Sequence, residues 1–423
     1  MKNKNIVVTV LPIFFIFEIP LNLLIIFGAI TWFRQKKSLI ITNFSPRVSV
    51  IITCYSEGRD IEKTLISLCE QVYSAEIEII AVIDGASSNK LTWLAASEFR
   101  EKIKNYPFRK LILIPKWQRG GRVSTLNAGL SAATGDIIIN VDGDTSFDND
   151  MVYRITQHFS DPNVPAVGGG LKVRNYQTSI ITKMQAIEYM LSIQLGKTGL
   201  AQWNLINNIS GAFGAFRRSF IQKIGGWDTH TAEDLDLTVR IKQYMSRWPQ
   251  LRIPFEPLAV GHTDVPHNLK TLLSQRLRWD GDLMFLYLRK HKHAFSPSLL
   301  GWKTYLYTVI YGVMQNVMMP LIIVGYTLYI SFHYSSIIVA SIFINIYLLY
   351  LLITVILYVF YLILISDAQK KDVKLAIFLI IFPLYSLLMR FWTAFSIINE
   401  LFRRSHEESG MAPWWVLKRG NRF

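Results

Sequence analysis

The stretch Asp136-Ile-Ile-Ile-Asn-Val-Asp-Gly-Asp144 is a short apolar run that ends in two carboxylates, Asp142 and Asp144. Such a run is typical of a strand buried on both faces of a sheet. At the end of that strand the two aspartates are placed to share one hard divalent cation, because Mg²⁺ and Mn²⁺ prefer carboxylate oxygens. Asp-x-Asp also occurs in ordinary turns, so the pair alone leaves both interpretations open.

Strand and helix signals alternate on both sides of this run. Strands are predicted at Arg47–Thr53, Glu78–Ile83 and Lys110–Ile114, and helices at Asp60–Val72 and Val123–Ala133. Apolar strands that alternate with helices predict an α/β fold, with a mostly parallel sheet covered on both faces. Because ligands bind such sheets at the carboxyl ends of the strands, residues just past those ends are expected to share one crevice.

Three groups of polar residues lie just past predicted strand ends: Tyr55, Asp84 and the pair of aspartates at 142 and 144. Asp84 can accept hydrogen bonds from a base or a ribose. The dipeptide Asp84-Gly85 also fits a simple turn, so this residue alone does not decide between the two roles.

A basic, glycine-containing loop, Gln118-Arg-Gly-Gly-Arg122, comes directly before a predicted helix. Glycines permit close approach of the backbone to a ligand, and the N-terminus of a helix favours anions. Arg119 and Arg122 are therefore candidates for binding phosphate or placing a nucleotide. A basic loop without a ligand is the alternative.

Two later segments also carry chemistry. Glu233, Asp234 and Asp236 either complement the dipole at a helix start or supply a general base for a sugar hydroxyl. The segment Gln275-Arg-Leu-Arg-Trp279 provides Arg278 for a pyrophosphate and Trp279 for stacking on a sugar face. A basic helix at the membrane surface with an interfacial tryptophan explains the second segment equally well.

Four long apolar stretches, at residues 6–32, 304–332, 336–366 and 374–398, account for a hydrophobic content of 51%. Each exceeds the ~20 residues that cross a ~30 Å hydrocarbon core. The first continues into Arg34 and Lys36 without a small-residue cleavage site, so it is interpreted as a retained anchor. The predicted organisation is an anchor and linker (1–43), a soluble domain (44–265), interfacial amphipathic helices (266–303), transmembrane helices (304–400) and a basic tail (401–423).

The net charge and the cysteine content limit which partners and which kinds of site are expected. The net charge of +15 is consistent with a positive-inside bias, contact with anionic lipid headgroups and binding of anionic substrates. No recognised nucleic-acid motif accompanies the charge, so nucleic acid is not expected as a partner. Cys54 and Cys69 lack a metal-ligand spacing and are predicted to be reduced core residues.

The distribution of basic residues predicts the topology, with one conflict. Basic residues follow the first anchor, which places the soluble domain inside; the loop at 331–336 lacks Lys and Arg, and Lys370 and Lys371 mark the next loop as inside. Three C-terminal spans would leave the tail outside, whereas its charges favour the inside: Arg403, Arg404, Lys418, Arg419 and Arg422. Either the last apolar stretch, broken at Pro383, is not a simple span, or the charge rule fails there.

The order of the motifs resembles that of the family 2 membrane glycosyltransferases, the group containing poly-N-acetylglucosamine, hyaluronan, chitin and cellulose synthases. The matching elements are Asp84, Asp142-Gly-Asp144, Glu233-Asp234 and Gln275-Arg-Leu-Arg-Trp279, over about residues 47–280. The resemblance implies a GT-A-type nucleotide-sugar domain joined to a transmembrane bundle and interfacial helices. The stretch Glu233-Asp-Leu-Asp-Leu-Thr238 is more similar to the poly-N-acetylglucosamine branch than to the cellulose branch.

The resemblance also assigns roles to residues. It implies donor binding by Tyr55, Glu57, Asp84, Arg119, Arg122, Asp142, Gln275 and Arg278, and a metal, Mg²⁺ or Mn²⁺, on Asp144. Asp234 would be the catalytic base with Glu233 beside it, and the acceptor would contact Trp279, Ser210, Gly211 and Phe213. Many relatives carry Lys in place of Arg119 and Arg122, and Thr or Gly in place of Ala232, which leaves the donor contacts open.

The implied function is inverting, processive transfer from a UDP-sugar, best UDP-N-acetylglucosamine, to a growing β-linked polysaccharide that crosses the membrane. The alternatives are another donor such as UDP-glucose giving a β-glucan, transfer of a single sugar to a lipid, and a non-catalytic membrane scaffold. The implied setting is a bacterial-type plasma membrane, with a cytosolic catalytic domain and multiple spans. The expected partners are the donor, the polysaccharide, the bilayer and a small accessory membrane subunit.

Overall fold

The computed structural model describes residues 4–36, 44–228, 232–403 and Pro413, and of residues 4–16, 288 and 289 it describes the backbone alone. The linker predicted at 37–43 and nearly all of the predicted basic tail lie outside the described residues. The strands are β1 (Val48–Cys54), β2 (Ile77–Asp84), β3 (Arg109–Lys116), β4 (Ile137–Asp142), β5 (Ser146–Phe147), β6 (Ala166–Val173), β7 (Phe213–Arg217) and β8 (Phe255–Thr263).

Helices cover both faces of the sheet and form the C-terminal part of the chain. They are α1 (Lys4–Lys36), α2 (Ile61–Cys69), α3 (Lys90–Lys102), α4 (Arg122–Ala132), α5 (Met151–Gln157), α6 (Ile180–Glu188), α7 (Thr198–Gln202), α8 (Arg218–Lys223), α9 (Glu233–Arg247), α10 (Leu269–Phe285), α11 (Pro297–Leu300), α12 (Trp302–Tyr307), α13 (Met319–His333), α14 (Ser336–Leu364), α15 (Gln369–Asp372) and α16 (Phe382–Arg403). Three π-helical segments, Tyr189–Lys197, Leu286–Lys290 and Thr308–Met318, join helices of this set. Short 3₁₀ segments lie at Gly58–Asp60, Ile103–Asn105, His158–Ser160 and Val373–Ile380.

The strands form one mixed sheet in the order β3-β2-β1-β4-β7-β6-β8-β5. Strands β3, β2, β1 and β4 are parallel, β7 is antiparallel to both of its neighbours, and β6 is parallel to β8. The predicted mostly parallel α/β sheet is therefore confirmed. Every residue of β1 and β2 is buried, which explains why these strands are apolar runs rather than alternating ones.

The core lies on both faces of the sheet. One hydrophobic cluster includes Val50, Ile79 and Ile139, and the other includes Ile51, Ile80 and Ile138, as expected from side chains that alternate between faces. Both cysteines are buried free thiols at the first face, as predicted for core residues.

Among the described residues, three helical stretches are long and apolar enough to cross a membrane: Phe17–Lys36, Trp302–His333 and Ser336–Leu364. A fourth candidate is the pair Gln369–Ile380 and Phe382–Arg403, which is bent by 69° at the break. The break falls directly before Pro383, the residue at which the sequence interrupts this stretch. The charge conflict noted above therefore coincides with a real bend in the chain.

Helix α16 lies alongside α10. The indole nitrogen Nε1 of Trp392 donates to the carbonyl of Leu273 (2.8 Å), and the Tyr385 hydroxyl donates to Oε2 of Glu188 (2.8 Å). The segment before α16 also touches the soluble domain, because Lys172 forms an ion pair with Asp367. These contacts hold the C-terminal helices against α10 and the soluble domain.

The anchor helix is packed directly on the soluble domain. Gly28 of α1 and Gly199 of α7 face each other so closely that a Cβ on Gly28 would lie 2.1 Å from the carbonyl oxygen of Gly199. The indole of Trp203 donates to the carbonyl of Leu24 (2.8 Å). The lone acid of the first apolar stretch, Glu18, lies 3.7 Å from Arg390 of α16, which partly offsets the cost of an acid there.

Candidate active site

The carboxyl ends of four strands form one edge of the sheet, as the sequence predicted. Thr53 of β1 is paired with Asp142 of β4, and Asp84 of β2 is paired with Lys116 of β3. Tyr55 follows β1 directly. One crevice above these ends therefore gathers residues that are far apart in the chain.

Asp84 is held by its own chain. Its Oδ1 accepts hydrogen bonds from Lys116 Nζ (2.7 Å) and Gly120 N (2.8 Å), and its Oδ2 accepts one from Gly121 N (2.8 Å). The carboxylate, 3% exposed, thus fixes the glycine loop at the start of α4. Gly121 adopts φ +82°, a conformation that favours glycine. Asp84 shapes the loop that the sequence predicted to approach a phosphate.

Tyr55 and Arg119 form an open platform at the rim of the crevice. The guanidinium carbon of Arg119 lies 4.0 Å from the centre of the Tyr55 ring, a stacking distance. Tyr55 is 43% exposed, so the other part of its surface is accessible. A flat aromatic ring beside a cation suits a nucleotide base and its phosphates.

Three carboxylates meet below this platform: Glu57, Asp142 and Asp144. A Cβ on Gly143 would lie 3.0 Å from the carboxyl carbon of Glu57, so Gly143 makes room for the Glu57 side chain between the two aspartates. Burial, with smaller contributions from the charges of Asp144 and Asp142, raises the pKa of Glu57 to about 7. Burial and the charge of Asp142 likewise raise the pKa of Asp144 to about 6.

This cluster suits a hard divalent cation that is completed by substrate oxygens. Repulsion among the three carboxylates is relieved by a cation, and Oε2 of Glu57 is buried with no hydrogen-bond partner among the described residues. Over the described part of the chain, no group of three His, Cys, Asp or Glu residues is placed to hold a metal ion by itself. Mg²⁺ commonly uses one or two carboxylates plus substrate phosphates, so a cation here would need donor oxygens to complete its coordination.

Arg122 joins the strand end to the later acidic motif. Its guanidinium donates to the Thr53 hydroxyl (3.2 Å), to Asp142 and to the carbonyl of Gly211 (2.5 Å). Its Nε lies 2.5 Å from Oε1 of Glu233. With a side chain only 13% exposed, Arg122 lies buried between two carboxylates, whereas the sequence had made it a candidate for binding phosphate or placing a nucleotide. The Arg122 guanidinium therefore links Glu233 to Asp142.

Asp234 is fixed at the start of α9. Its Oδ2 accepts from Asn208 Nδ2 (2.8 Å) and Gly211 N (3.2 Å), and its Oδ1 accepts from Leu235 N (2.8 Å). The preceding Ala232 has φ +54°, a left-handed conformation that costs an alanine more than a glycine. Asp234 is half-buried, and the three hydrogen bonds leave a lone pair of Oδ1 for a substrate hydroxyl.

The third acid of the motif has a different role. Asp236 is completely buried and contacts Arg240 Nε, Lys290 Nζ and His291 Nε2, each at 2.8 Å. Hydrogen bonding by His291, with Arg240 and Lys290 nearby, holds the pKa of Asp236 well below its usual range despite burial. Asp236 therefore clamps α9 to the segment that follows α10.

Helix α10 carries the motif Gln275-Arg-Leu-Arg-Trp279. Arg276 donates to Oε2 of Glu188 (2.7 Å), and its guanidinium carbon lies 4.7 Å from the Trp279 ring centre. Burial raises the pKa of Asp282, one turn beyond Arg278; the charge of Arg278 opposes this rise, and the charges of Glu233 and Asp234 add to it. This coupling indicates that the end of α10 lies close to the start of α9.

Comparisons with known proteins agree with this geometry. Residues 49–225 match the sequence model described as glycosyl transferase family 2. The chain contains a family 2 glycosyltransferase domain. The poly-beta-1,6-N-acetyl-D-glucosamine synthase of Staphylococcus aureus (strain COL) is 32% identical over 263 residues, 60% of this chain and 60% of that protein. The synthase of the same name from Staphylococcus epidermidis is 31% identical over 233 residues, 55% of this chain and 53% of its own length.

The chain thus spans about three fifths of the length of the curated relatives it matches. Among solved structures, a mannosyltransferase from Pyrobaculum calidifontis in complex with GDP-Man and Mn²⁺ aligns with a TM-score of 0.55 and 19% identity, covering 90% of this chain and 99% of that one. The fold is that of GT-A-like glycosyltransferases, as the resemblance of the motifs implied.

The segment that the resemblance implies lies under the acceptor, around Ser210, Gly211 and Phe213, is only partly at the crevice. Gly211 contacts the site, since its carbonyl accepts from Arg122 and Asn140, and Ser210 precedes it. Phe213 is completely buried and packs edge-to-face on Phe147 (centroids 5.2 Å apart). The structure therefore does not bring the Phe213 side chain to an acceptor, because its position in β7 directs it into the core.

The family 2 domain also holds polar residues that sequence reasoning missed. Lys116 ends β3 as Asp84 ends β2, so a search for polar residues at the ends of strands could have identified it from the sequence. Asn208 and Lys197 lie in segments without a motif, and only the fold brings them to Asp234. Local sequence carries no signal for either.

Proposed function

We propose that this chain is an inverting glycosyltransferase that transfers a sugar from a UDP-sugar to the end of a growing β-linked polysaccharide. The observation that carries the proposal is the environment of Asp234. Three hydrogen bonds orient its carboxylate. Asp234 lies on α9, and Arg122 links Glu233 of that helix to Asp142 at the end of β4. A fixed carboxylate next to a nucleotide-type crevice is the arrangement that general-base catalysis of sugar transfer requires.

The reaction follows from these positions. The acceptor hydroxyl oxygen attacks the anomeric carbon of the donor, and Asp234 takes the hydroxyl proton. The bond from the anomeric carbon to the diphosphate oxygen breaks, and UDP leaves with the electron pair. Attack opposite the leaving group converts an α-linked donor into a β-linked product.

On the donor side, Tyr55 and Arg119 would hold the base and phosphates, and Asp84 would support the glycine loop beneath them. Asp144, with Asp142 and Glu57 nearby, would hold Mg²⁺ or Mn²⁺. Such a cation would neutralise charge on the departing diphosphate. Gln275, Arg278 and Trp279 on α10 are proposed to contact the diphosphate and the terminal acceptor sugar.

N-acetylglucosamine is the proposed sugar because the synthases at 32% and 31% identity carry that sugar in their names. Processive extension with coupled passage through the membrane is proposed because the crevice is joined to apolar helices by α10 and α16. The identity of the sugar and processive extension are separate parts of the proposal, and each has its own test.

The experiment is incubation of the purified full chain in detergent or nanodiscs with Mg²⁺ or Mn²⁺ and a panel of UDP-sugars, measuring UDP release and product size. We expect UDP-N-acetylglucosamine to give UDP release and a polymer. UDP release with only a single sugar added to lipid would replace the polymerase proposal with lipid glycosylation. UDP release from UDP-glucose alone would change the donor, and release from no donor would support a scaffold.

The aromatic platform gives a testable prediction. Tyr55→Ala is expected to raise the donor KM about tenfold, because loss of stacking on a base costs about 1–3 kcal/mol. Tyr55→Phe keeps the ring and should keep the donor KM near that of the unaltered protein. UDP titration by calorimetry separates this effect from folding. Equal affinity of UDP for all three proteins would remove Tyr55 from the donor site.

We also propose a plasma-membrane protein with three spans, α1, α12–α13 and α14, and with α16 lying at the inner surface. The support is the 69° bend before α16 and the contacts of α16 with α10. This arrangement leaves the tail on the same side as the catalytic domain and removes the charge conflict.

Single-cysteine labelling tests this topology. Cys54 and Cys69 are buried, so background labelling should be low. In intact cells an impermeant maleimide is expected to label Ser335→Cys, and to label Lys370→Cys and Arg403→Cys only after permeabilisation. Labelling of Arg403→Cys from outside would show that the bent pair crosses the membrane.

A further inference from the structure

A carboxylate at the end of α6, Glu188, joins three segments that are far apart in the chain. Its Oε2 accepts a hydrogen bond from a terminal nitrogen of Arg276 on α10 (2.7 Å) and another from the hydroxyl of Tyr385 on α16 (2.8 Å). The side chains of Arg276 and Glu188 are 16% and 24% exposed, and Tyr385 is buried. This partly buried ion pair therefore fixes the guanidinium of Arg276 to both the soluble domain and the C-terminal helices.

The same guanidinium packs on Trp279, the last residue of the motif that begins at Gln275. Arg276 and Trp279 are three residues apart on α10, so they share one face of the helix. The guanidinium carbon lies 4.7 Å from the centre of the indole ring, within the range of a stacked cation. Trp279 is only partly buried, so part of the ring remains accessible beside the guanidinium. The ion pair to Glu188 therefore also restrains the orientation of the indole.

Tyr189, the residue after Glu188, connects this cluster with the crevice. Its side chain is buried, and burial raises the pKa of its hydroxyl to about 12. The charge of Arg276 opposes this rise, and the charges of Glu188, Asp142 and Asp144 add to it. Because such effects weaken with distance, the Tyr189 hydroxyl lies near Arg276 and also near the two aspartates at the end of β4.

Helix α10 is also tied to the helix that carries the proposed base. Lys290 and His291, which follow α10, each contact Asp236 of α9 at 2.8 Å. Asp236 lies two residues beyond Asp234 on the same helix. Helix α10 is therefore held at two points, by Glu188 near its middle and by Asp236 beyond its end, and both contacts come from elements next to the site.

We propose that Glu188 and Arg276 are positioning residues that fix the Trp279 ring for the terminal sugar of the acceptor, and that Tyr385 supports them by holding Glu188. This inference rests on the proposed function, in which that ring contacts the growing polysaccharide. The guanidinium lies on one part of the ring, and the sugar would stack on the accessible part. The three supporting side chains are not part of the aromatic platform for the donor, so donor binding should not depend on them.

Conservative substitutions should weaken the hold on the polysaccharide without weakening donor binding. Arg276→Lys keeps a positive charge for Glu188 but lacks the flat guanidinium that packs on the indole. Glu188→Gln keeps an acceptor oxygen but loses the charge that holds the guanidinium. We expect each substitution to shorten the mean product about fivefold, within the range for loss of a stacked cation. Tyr385→Phe should shorten it less, because only the hydroxyl that supports Glu188 is lost.

The test uses the purified full chain in nanodiscs with saturating UDP-N-acetylglucosamine, and it measures mean product length, the rate of UDP release and the affinity for UDP by calorimetry. Product length reports how often the polysaccharide dissociates between additions. A merely structural defect would not change it, because a smaller folded fraction makes fewer chains rather than shorter ones. The affinity for UDP is expected to stay unchanged in all three variants.

Arg217→Lys is the matched control. Arg217 is also a partly buried arginine beside an aromatic ring, with its guanidinium carbon 5.7 Å from the ring centre of Phe159. It lies at the end of β7 that pairs with the start of β4, whereas Asp142 is at the other end of β4. The control is therefore at the opposite edge of the sheet from the crevice and should leave product length unchanged.

The outcomes separate this inference from the proposed function. If Arg276→Lys and Glu188→Gln make fewer products of unchanged length, both residues are merely structural and the inference is overturned while the polymerase remains. Shortening in Arg217→Lys equal to that in Arg276→Lys also overturns it. If Trp279→Ala leaves product length unchanged, the acceptor role of the ring fails and the inference fails with it. Absence of any polymer from the unaltered protein would instead refute the proposed function itself.

Discussion

Asp234→Asn is expected to reduce kcat for UDP release by about 10²–10⁴-fold, the range for loss of a general base. An asparagine at 234 cannot take the hydroxyl proton. The donor KM should change little, because Asp234 is fixed by Asn208, Gly211 and Leu235 and is not part of the Tyr55–Arg119 platform. The measurement is initial-rate UDP release at saturating donor, with UDP affinity determined in parallel.

The design of this experiment must account for the hydrogen bonds. An asparagine can turn its carbonyl oxygen toward Asn208 Nδ2 and Gly211 N, but its amide then faces Leu235 N and loses one bond. A melting curve is therefore measured for each variant. Asp228→Asn is the control, because the side chain of Asp228 is 57% exposed and forms an ion pair with Lys290 Nζ (2.7 Å) rather than with the residues that hold Asp234. Near-normal synthesis by Asp234→Asn would exclude Asp234 as the base.

Arg122→Met is expected to destabilise the fold by about 3–5 kcal/mol, the cost of leaving a buried carboxylate without its partner. Glu233 is 6% exposed, and burial already raises its pKa although the Arg122 charge opposes the rise. Without the guanidinium the pKa of Glu233 rises further. Activity should be lost as well, because Arg122 joins Glu233 to the Asp142 strand end.

The loss of stability in Arg122→Met should depend on pH. In Arg122→Met the folded protein holds a proton on Glu233 at a pH where the unfolded chain has released it. Stability then falls as pH rises from the unfolded pKa to the folded one. The Tm difference from the unaltered protein should be larger at pH 8 than at pH 5. Arg59→Met, at an exposed arginine with ion pairs of 3.9 Å, should show no difference. An equal Tm loss at both pH values would contradict the interpretation that buried Arg122 compensates the charge of Glu233.

Local pattern predicted the strands and the residues at their ends. The apolar run before Asp142 forms β4, and the run before Asp84 forms β2. These predictions held because strands buried on both faces are continuous apolar runs, and because parallel strands align their carboxyl ends. The family resemblance also held for the fold, since its motifs are spaced along one domain.

Other roles required the tertiary structure. Arg122 was predicted as a phosphate ligand, but its partners lie at residues 53, 142, 211 and 233, and no local pattern shows that they converge. Phe213 was predicted beside the acceptor, whereas the pleat of β7 turns it into the core. Asp236 was grouped with Asp234, although two residues along a helix point to different sides.

The sequence by itself determined the class of fold and the edge of the sheet at which the candidate acids Asp84 and Asp142 lie. These properties depend on short-range periodicity and on strand ends. The tertiary structure decided that Asp234 is oriented by three hydrogen bonds and that Arg122 is buried between Asp142 and Glu233. It also decided that the last apolar stretch bends before Pro383 and lies along α10. Those features depend on contacts between distant segments, and their free energies arise only when packing excludes water and brings the charges together.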